Sequence, residues 1–277
     1  MIQVLASLII SCLVLSAQNV TVSPGDWDAH GIEITPYSSP SFAGKAAAAK
    51  VAAVDTTSLH PLSFFLTNNT GHTIIAYSTV WTVKNANGIL TRQSRLAGSL
   101  LSKSRGLSIP NGAERLISPV TQASAPSAAN PKISANLQAA IDRAKGSFPS
   151  NSSVTVSLEA VVLDDGLALG PDSTQAIQRL RAEADGLKKL ASDVLAAFNS
   201  GGQQAVVDLL SGIVAGPFPS SLAAARMSSA DDAYAGFVAH TRYERARDWL
   251  HLVKGNAPLV ENLANRQANE TSLAVRR

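Results

Sequence analysis

The stretch 153-SVTVSLEAVVLDDGLALGPDSTQAI-177 decides how the chain is read. Val154, Val156, Leu158, Ala160 and Val162 alternate with more polar residues, the period of a strand with one buried face. Asp165-Gly166 is the dipeptide that a type I′ turn prefers, because both of its central residues take positive φ. Placing the turn there pairs Leu163 with Ala168 and Val162 with Leu169, so that Leu167 and Leu169 extend the apolar face. Asp172 then stands where a helix N-cap belongs, with Gln175 in the capping-box position. A strand therefore hands over to a helix within this stretch, and the chain divides into a β half and an α half.

The aspartates here raise the question of a metal. A calcium loop alternates oxygen ligands as D-x-[DN]-x-[DN]-G, and that spacing is absent. Asp165 and Gly166 are read as a structural turn and Asp172 as a helix cap.

Upstream, 62-LSFFLTNNTGHTIIAYSTVWTV-83 alternates around the turn formers Asn68 to Gly71. Asn85-Ala86-Asn87-Gly88 marks another turn, and Asn111-Gly112 reads as a hairpin between a short 106–110 strand and 114–119. Ile133, Leu137, Ile141 and Ala144 recur at helical spacing, which predicts a short helix near 131–146 inserted among the strands. With its DG turn and GPD helix start, the first stretch, together with 66-LTNNTGHTIIAYSTVW-81, resembles a group of uncharacterised secreted proteins of soil bacteria. The likeness spans roughly residues 60–180. It implies secretion and an immunoglobulin-like sandwich, and it supplies neither an activity nor site residues.

Downstream, Ile177, Leu180, Ala184, Leu187, Ala191, Val194 and Phe198 form a narrow seam at 3-4 spacing. Asn199-Ser200-Gly201-Gly202 ends that helix, a shorter one follows over 203–214, and another long one is expected over 230–254. An antiparallel helical bundle is the simplest packing. On the last helix Tyr234, Val238, Trp249 and Leu252 define an apolar arc with Arg245 in its middle. A charge there either snorkels or meets a carboxylate, which marks Arg245 and Trp249 as candidate partner contacts.

Residues 2–17 carry no charge, a run too short for a typical membrane span and suited to a secretory signal. Cys12, the only cysteine, sits in a sequence like a lipoprotein box, although the apolar run continues past it. Its removal with the signal would leave no thiol for a disulfide, a zinc site or a nucleophile. Lys84, Arg92, Arg95, Lys103, Arg105 and Arg115 face only Glu114 in residues 84–115, a local excess of +5. No aromatic residue accompanies them for bases to stack on, so nucleic acid is not expected. The cluster reads as an exposed basic face, or as a patch for an acidic polymer.

His240, Glu244, Arg247 and His251 share one helical face with Asp248 at its edge, yet the histidines lie about 16 Å apart. That is too far to share an ion, and Arg247 between them repels a cation. No nucleophile elbow, zincin, phosphate-loop or dinucleotide motif occurs, so no catalytic residue, cofactor site or metal site is assigned.

The expected fold class is α+β: an immunoglobulin-like antiparallel β-sandwich followed by a C-terminal α-helical bundle. The divisions are a signal peptide at 1–17, an irregular lead at 18–58, the sandwich with its helical insertion at 59–172, and a helical domain at 173–277. The expected function is a non-enzymatic binding or assembly module of the bacterial cell envelope, exported to the periplasm or medium. The alternative is an exported hydrolase whose carboxylates the sequence does not locate. Partners would be an envelope protein or an acidic polymer. Contact with the membrane would come only through an uncleaved anchor or a lipidated Cys12.

Overall fold

A computed structural model describes residues 19–23, 25–48, 57–100, 108–120, 131–149, 151–220, 229–253, 260–262, 264–266 and 275–276. The expectations for the signal run and Cys12 lie outside them. The architecture is α+β, with two sheets and a long C-terminal helical region. One sheet has the order β1 (Asn19–Val22), β7 (Ser153–Leu163), β4 (Ile74–Lys84), β5 (Leu90–Gly98), with β8 (Ala168–Leu169) also on β7. The other is β2 (Ile32–Pro36), β3 (Phe64–Asn68), β6 (Glu114–Ile117). The second sheet is antiparallel, whereas the first is mixed because β1 runs parallel to β7.

Two corrections follow. The 18–58 lead is not irregular, since it supplies β1 and β2, whose partners lie far along the chain where no hairpin signal could reveal them. Asn111-Gly112 does not close a hairpin either. Ile109 bridges to Ile74 in one sheet while β6 pairs with β3 in the other, so the turn carries the chain between sheets.

The sheets share one core. Tyr77, Trp81 and Val83 of β4 and Val156, Leu158 and Val161 of β7 meet Ile32, Phe64, Leu66 and Ile117 of the other sheet. The Trp81 indole N–H donates to the Leu62 carbonyl (2.9 Å), so the ring is buried with its polar atom satisfied. Ile141 and Phe148, in and just after α2 (Pro131–Ser147), fill one side of this core. α1 (Phe42–Ala48) covers the far side of the smaller sheet, with Phe42 against Phe65 at 5.1 Å between centroids.

The register of β7 breaks between its pairings with Ser78 and Thr79, where Ala160 and Leu158 are the partners and Glu159 is the extra residue. Such a bulge reverses which face each later side chain occupies. Ala160 and Val162 therefore leave the face of Val154, Val156 and Leu158, contrary to simple alternation. They pack instead with Ala76, Ala168, Ala176, Ile177, Leu180 and Ala184 beneath the first turns of α3 (Ala176–Ala215). The hairpin shifts with them, pairing Val162 with Ala168 and Val161 with Leu169. Its loop is Asp164-Asp165-Gly166, closed by bonds between Gly166 N–H and the Leu163 carbonyl and between Leu163 N–H and the Leu167 carbonyl. Only Gly166 has positive φ (90°), which makes this a three-residue turn with a left-handed last position rather than type I′.

α3 is interrupted at Gly201 and Gly202, the latter at φ 63°, ψ −149°, a conformation open mainly to glycine. Val206 and Leu210 beyond the break pack with Leu190, Ala191 and Val194 before it, so the chain folds back. α4 (Ala230–Val253) then runs parallel to the first leg of α3. Cross-links from Gln178 to Ala230, Asp185 to Tyr234, Asp193 to Arg242 and Gln203 to Val253 advance together along both helices. The expected antiparallel bundle thus takes the form out, back and out again, which leaves the two long legs parallel. The seam is divided as well: Ile177, Leu180 and Ala184 cover the sheet, and Ala191 and Val194 cover the bundle.

Candidate partner-binding cleft

Where α3, α4 and the end of β5 meet, a cleft of about 350 Å³ opens, lined by Gly98, Ser99, Arg179, Glu183, His240, Thr241, Glu244, Arg245 and Asp248, among others. Two glycines draw its walls together. A Cβ on Gly98 (φ +107°) would stand 2.2 Å from the Ile75 carbonyl oxygen, so only glycine lets β5 lie this close to β4. A Cβ on Gly186 would stand 2.8 Å from the Val238 carbonyl oxygen, where α3 and α4 touch backbone to backbone.

The lining is charged, with each carboxylate held by an arginine on its own helix. Arg179 meets Glu183 at 3.0 Å, Arg247 meets Glu244 at 2.5 Å, and Arg245 meets Asp248 at 3.6 Å. Arg179 also lies over the Phe237 ring at 5.8 Å. His240 Nδ1 sits 2.7 Å from the Pro219 carbonyl, which can only accept, so Nδ1 donates in this bond. Phe218 packs edge-on against both His240 and Tyr243 and fixes the imidazole plane.

Arg245 stands at the rim of this cleft with its side chain 54% exposed. It is outside the apolar arc because the inward face of α4 is Ala233, Phe237, Ala246, Trp249 and Val253. Trp249, expected to touch a partner, is 6% exposed inside the bundle core and has little surface to offer. His251 does not line the cleft with His240. Among the described residues no group of three or more His, Cys, Asp or Glu gathers to hold a metal.

The aspartates of the 153–177 stretch make bonds that shape the chain. Asp164 lies 3.2 Å from His72 Nδ1. Asp165 accepts from the Leu167 N–H (3.0 Å) and from Arg276 (2.8 Å), and the bond from Leu167 leads in holding its carboxyl below the usual range. Asp172 caps α3 from a distance: Gln175 is the residue at the helix boundary, yet the Asp172 carboxylate accepts from Ala176 N–H (2.6 Å) and Ile177 N–H (3.3 Å).

A second, smaller concavity of about 220 Å³ lies beside the β7 bulge, between the ends of β1 and β8. Asp26, Trp27, His30 and Glu159 line it. Glu159 is 7% exposed and accepts from the Ser173 hydroxyl and N–H. Its position within an alternating strand hid it from a reading by period. A charged residue on a strand that is otherwise apolar was the available signal.

The basic cluster does not form one face. Arg92 reaches Ser173 on the helix side of the sheet, while Arg95 and Arg115 turn inward; Lys103 and Arg105 lie outside the described residues. In comparisons with family models, curated proteins and solved structures, nothing matches this chain.

Proposed function

We propose that the protein is an exported, non-enzymatic binding or assembly module of the bacterial cell envelope, and that the cleft between α3 and α4 receives a mixed-charge segment of a partner protein. The observation that carries this reading is the pairing of every cleft carboxylate with an arginine of its own helix. Acid–base catalysis needs a carboxylate or imidazole set apart with a shifted affinity for protons, whereas a surface of alternating paired charges suits recognition and register. Export rests on the uncharged 2–17 run, and among the described residues no helix is long and apolar enough to cross a membrane. The immunoglobulin-like reading of the β half is supported by two sheets closing on one core. The parallel β1–β7 pair departs from it, because that architecture is built of antiparallel sheets.

A photo-crosslinking residue at Ser99, in the cleft, and another at Asn87, in the β4–β5 turn, separate the outcomes. The reading expects one envelope protein captured from Ser99 and not from Asn87, with capture lost in Arg245→Glu. Equal capture from both positions, or capture indifferent to Arg245→Glu, contradicts it.

The hydrolase alternative has one observation of its own, the buried Glu159 carboxylate beside Asp26 and Trp27. It requires hydrolysis of a chromogenic glycoside or ester by the purified protein, with Glu159→Gln inactive and still folded. Hydrolysis that survives Glu159→Gln would remove this residue from the reaction.

A further inference from the structure

The edge strands β5 and β6 bring two arginines from opposite sheets into the space between them. Thr79 pairs with Arg95 across β4 and β5, on the face that carries Tyr77 and Trp81 into the shared core. Arg115 pairs with Leu66 across β3 and β6, and Leu66 belongs to the same core from the other side. The Arg115 and Arg95 guanidiniums both lie close enough to act on the Tyr77 phenol. Arg95 Nη1 donates to the Pro119 carbonyl.

This corner lacks negative charge. Among the described residues no carboxylate comes within 4.0 Å of either guanidinium. Arg115 Nη1 and Thr79 Oγ1 are buried with no hydrogen-bond partner, and Thr79 as a whole is 1% exposed. Donors buried in this way are costly unless something accepts from them. Burial lowers the proton affinity of Arg95 and raises the pKa of the Tyr77 phenol, which stays neutral and cannot serve as counterion.

We infer that Arg95, Arg115, Thr79 and Tyr77 form a site for a divalent oxyanion of the phosphate type between the edges of the two sheets. Two guanidinium forks offer paired N–H donors matched to such oxygens, and the two hydroxyls add single donors. Two positive charges are balanced by a divalent anion and only half balanced by a carboxylate. Both arginines are partly exposed, so the site is open to solvent through them. The inference does not depend on the α3–α4 cleft, and neither wall of that cleft contributes a residue to it.

The test uses inorganic phosphate on the full chain at constant ionic strength held with sodium chloride. Titration calorimetry should show saturable binding, and Tm should rise with phosphate as mass action requires. Arg115→Met should abolish both. Thr79→Val, which keeps the side-chain shape, should weaken binding by about tenfold. Should Arg115→Met fail to fold, Thr79→Val alone decides. No heat and no rise in Tm beyond the chloride control, or phosphate affinity unchanged in Thr79→Val, overturns the site.

Discussion

The two halves of β7 behave differently. Before Glu159, Val154, Val156 and Leu158 are buried while Ser153 and Thr155 face solvent. After it, residues 160–163 are buried without interruption. One half has a single covered face. The other is covered twice, by the opposite sheet and by α3, and the bulge sets which side chain meets which neighbour. The covers use different side chains. Between the sheets stand Trp81, Tyr77, Phe64 and Leu66, large enough to span facing sheets about 10 Å apart. Between the sheet and α3, Ala76, Ala160 and Ala168 of the sheet stand with Ala176 and Ala184 of the helix, among Ile75, Val162, Ile177 and Leu180, and the alanines let the helix lie close. Among the described residues, aromatic rings mark the sheet–sheet layer and alanines the sheet–helix layer.

The largest expected effect comes from breaking the sheet–sheet layer. Trp81→Ala should destabilise the protein by about 3–5 kcal/mol in urea unfolding, because the indole is fully enclosed and its space cannot collapse between two sheets. A loss under about 1 kcal/mol would mean that the sheets do not depend on a common core. Next, Ala160→Leu should cost about 1–3 kcal/mol by overfilling the sheet–helix layer. The same substitution should be mild if α3 merely rests over the sheet without close packing. Asp172→Ala, which frees the N–H groups of Ala176 and Ile177, should cost about 1 kcal/mol. Asp172→Asn should recover part of that loss.

Much of this architecture is legible in local pattern. The α2 helix, the start of α3 after Asp172, the break at Gly201-Gly202 and the span of α4 all follow from periodicity and from residues that end helices. Ser229 N-caps α4 through a bond from Asp232 N–H (3.3 Å). What escapes is set by partners far away in sequence. β1 is four residues whose partner among the described residues is β7, far along the chain, so nothing nearby announces it. The inward face of α4 is carried partly by Ala233 and Ala246, and alanine weighs little in an apolar pattern. That weight places the arc around Arg245 instead of opposite it. The cleft is assembled from three elements, and only its α4 wall shows as a run of charges on one helical face.

The smallest effect concerns pH. Burial, then the bond to Asp185, pushes the Tyr234 phenol up to about 12 from 10.0. The folded state thus keeps a proton that the unfolded chain releases first. The associated stability is complete below pH 10 and falls as pH rises toward about 12. Tyr234→Phe should flatten the difference in urea midpoint between pH 9 and pH 11.5, and an unchanged slope would remove Tyr234 from the α3–α4 contact.

The most direct measurement of the central claim is the affinity of the protein captured at Ser99 for wild-type chain and for Arg245→Glu, titrated by calorimetry beside a melting curve of each. Arg245 is exposed and, among the described residues, paired with Asp248, so Tm should move by no more than about 2 °C. Reversing its charge at the rim should raise the Kd by about tenfold or more. Equal Kd values for the two proteins would contradict the assignment of the α3–α4 cleft as the partner site.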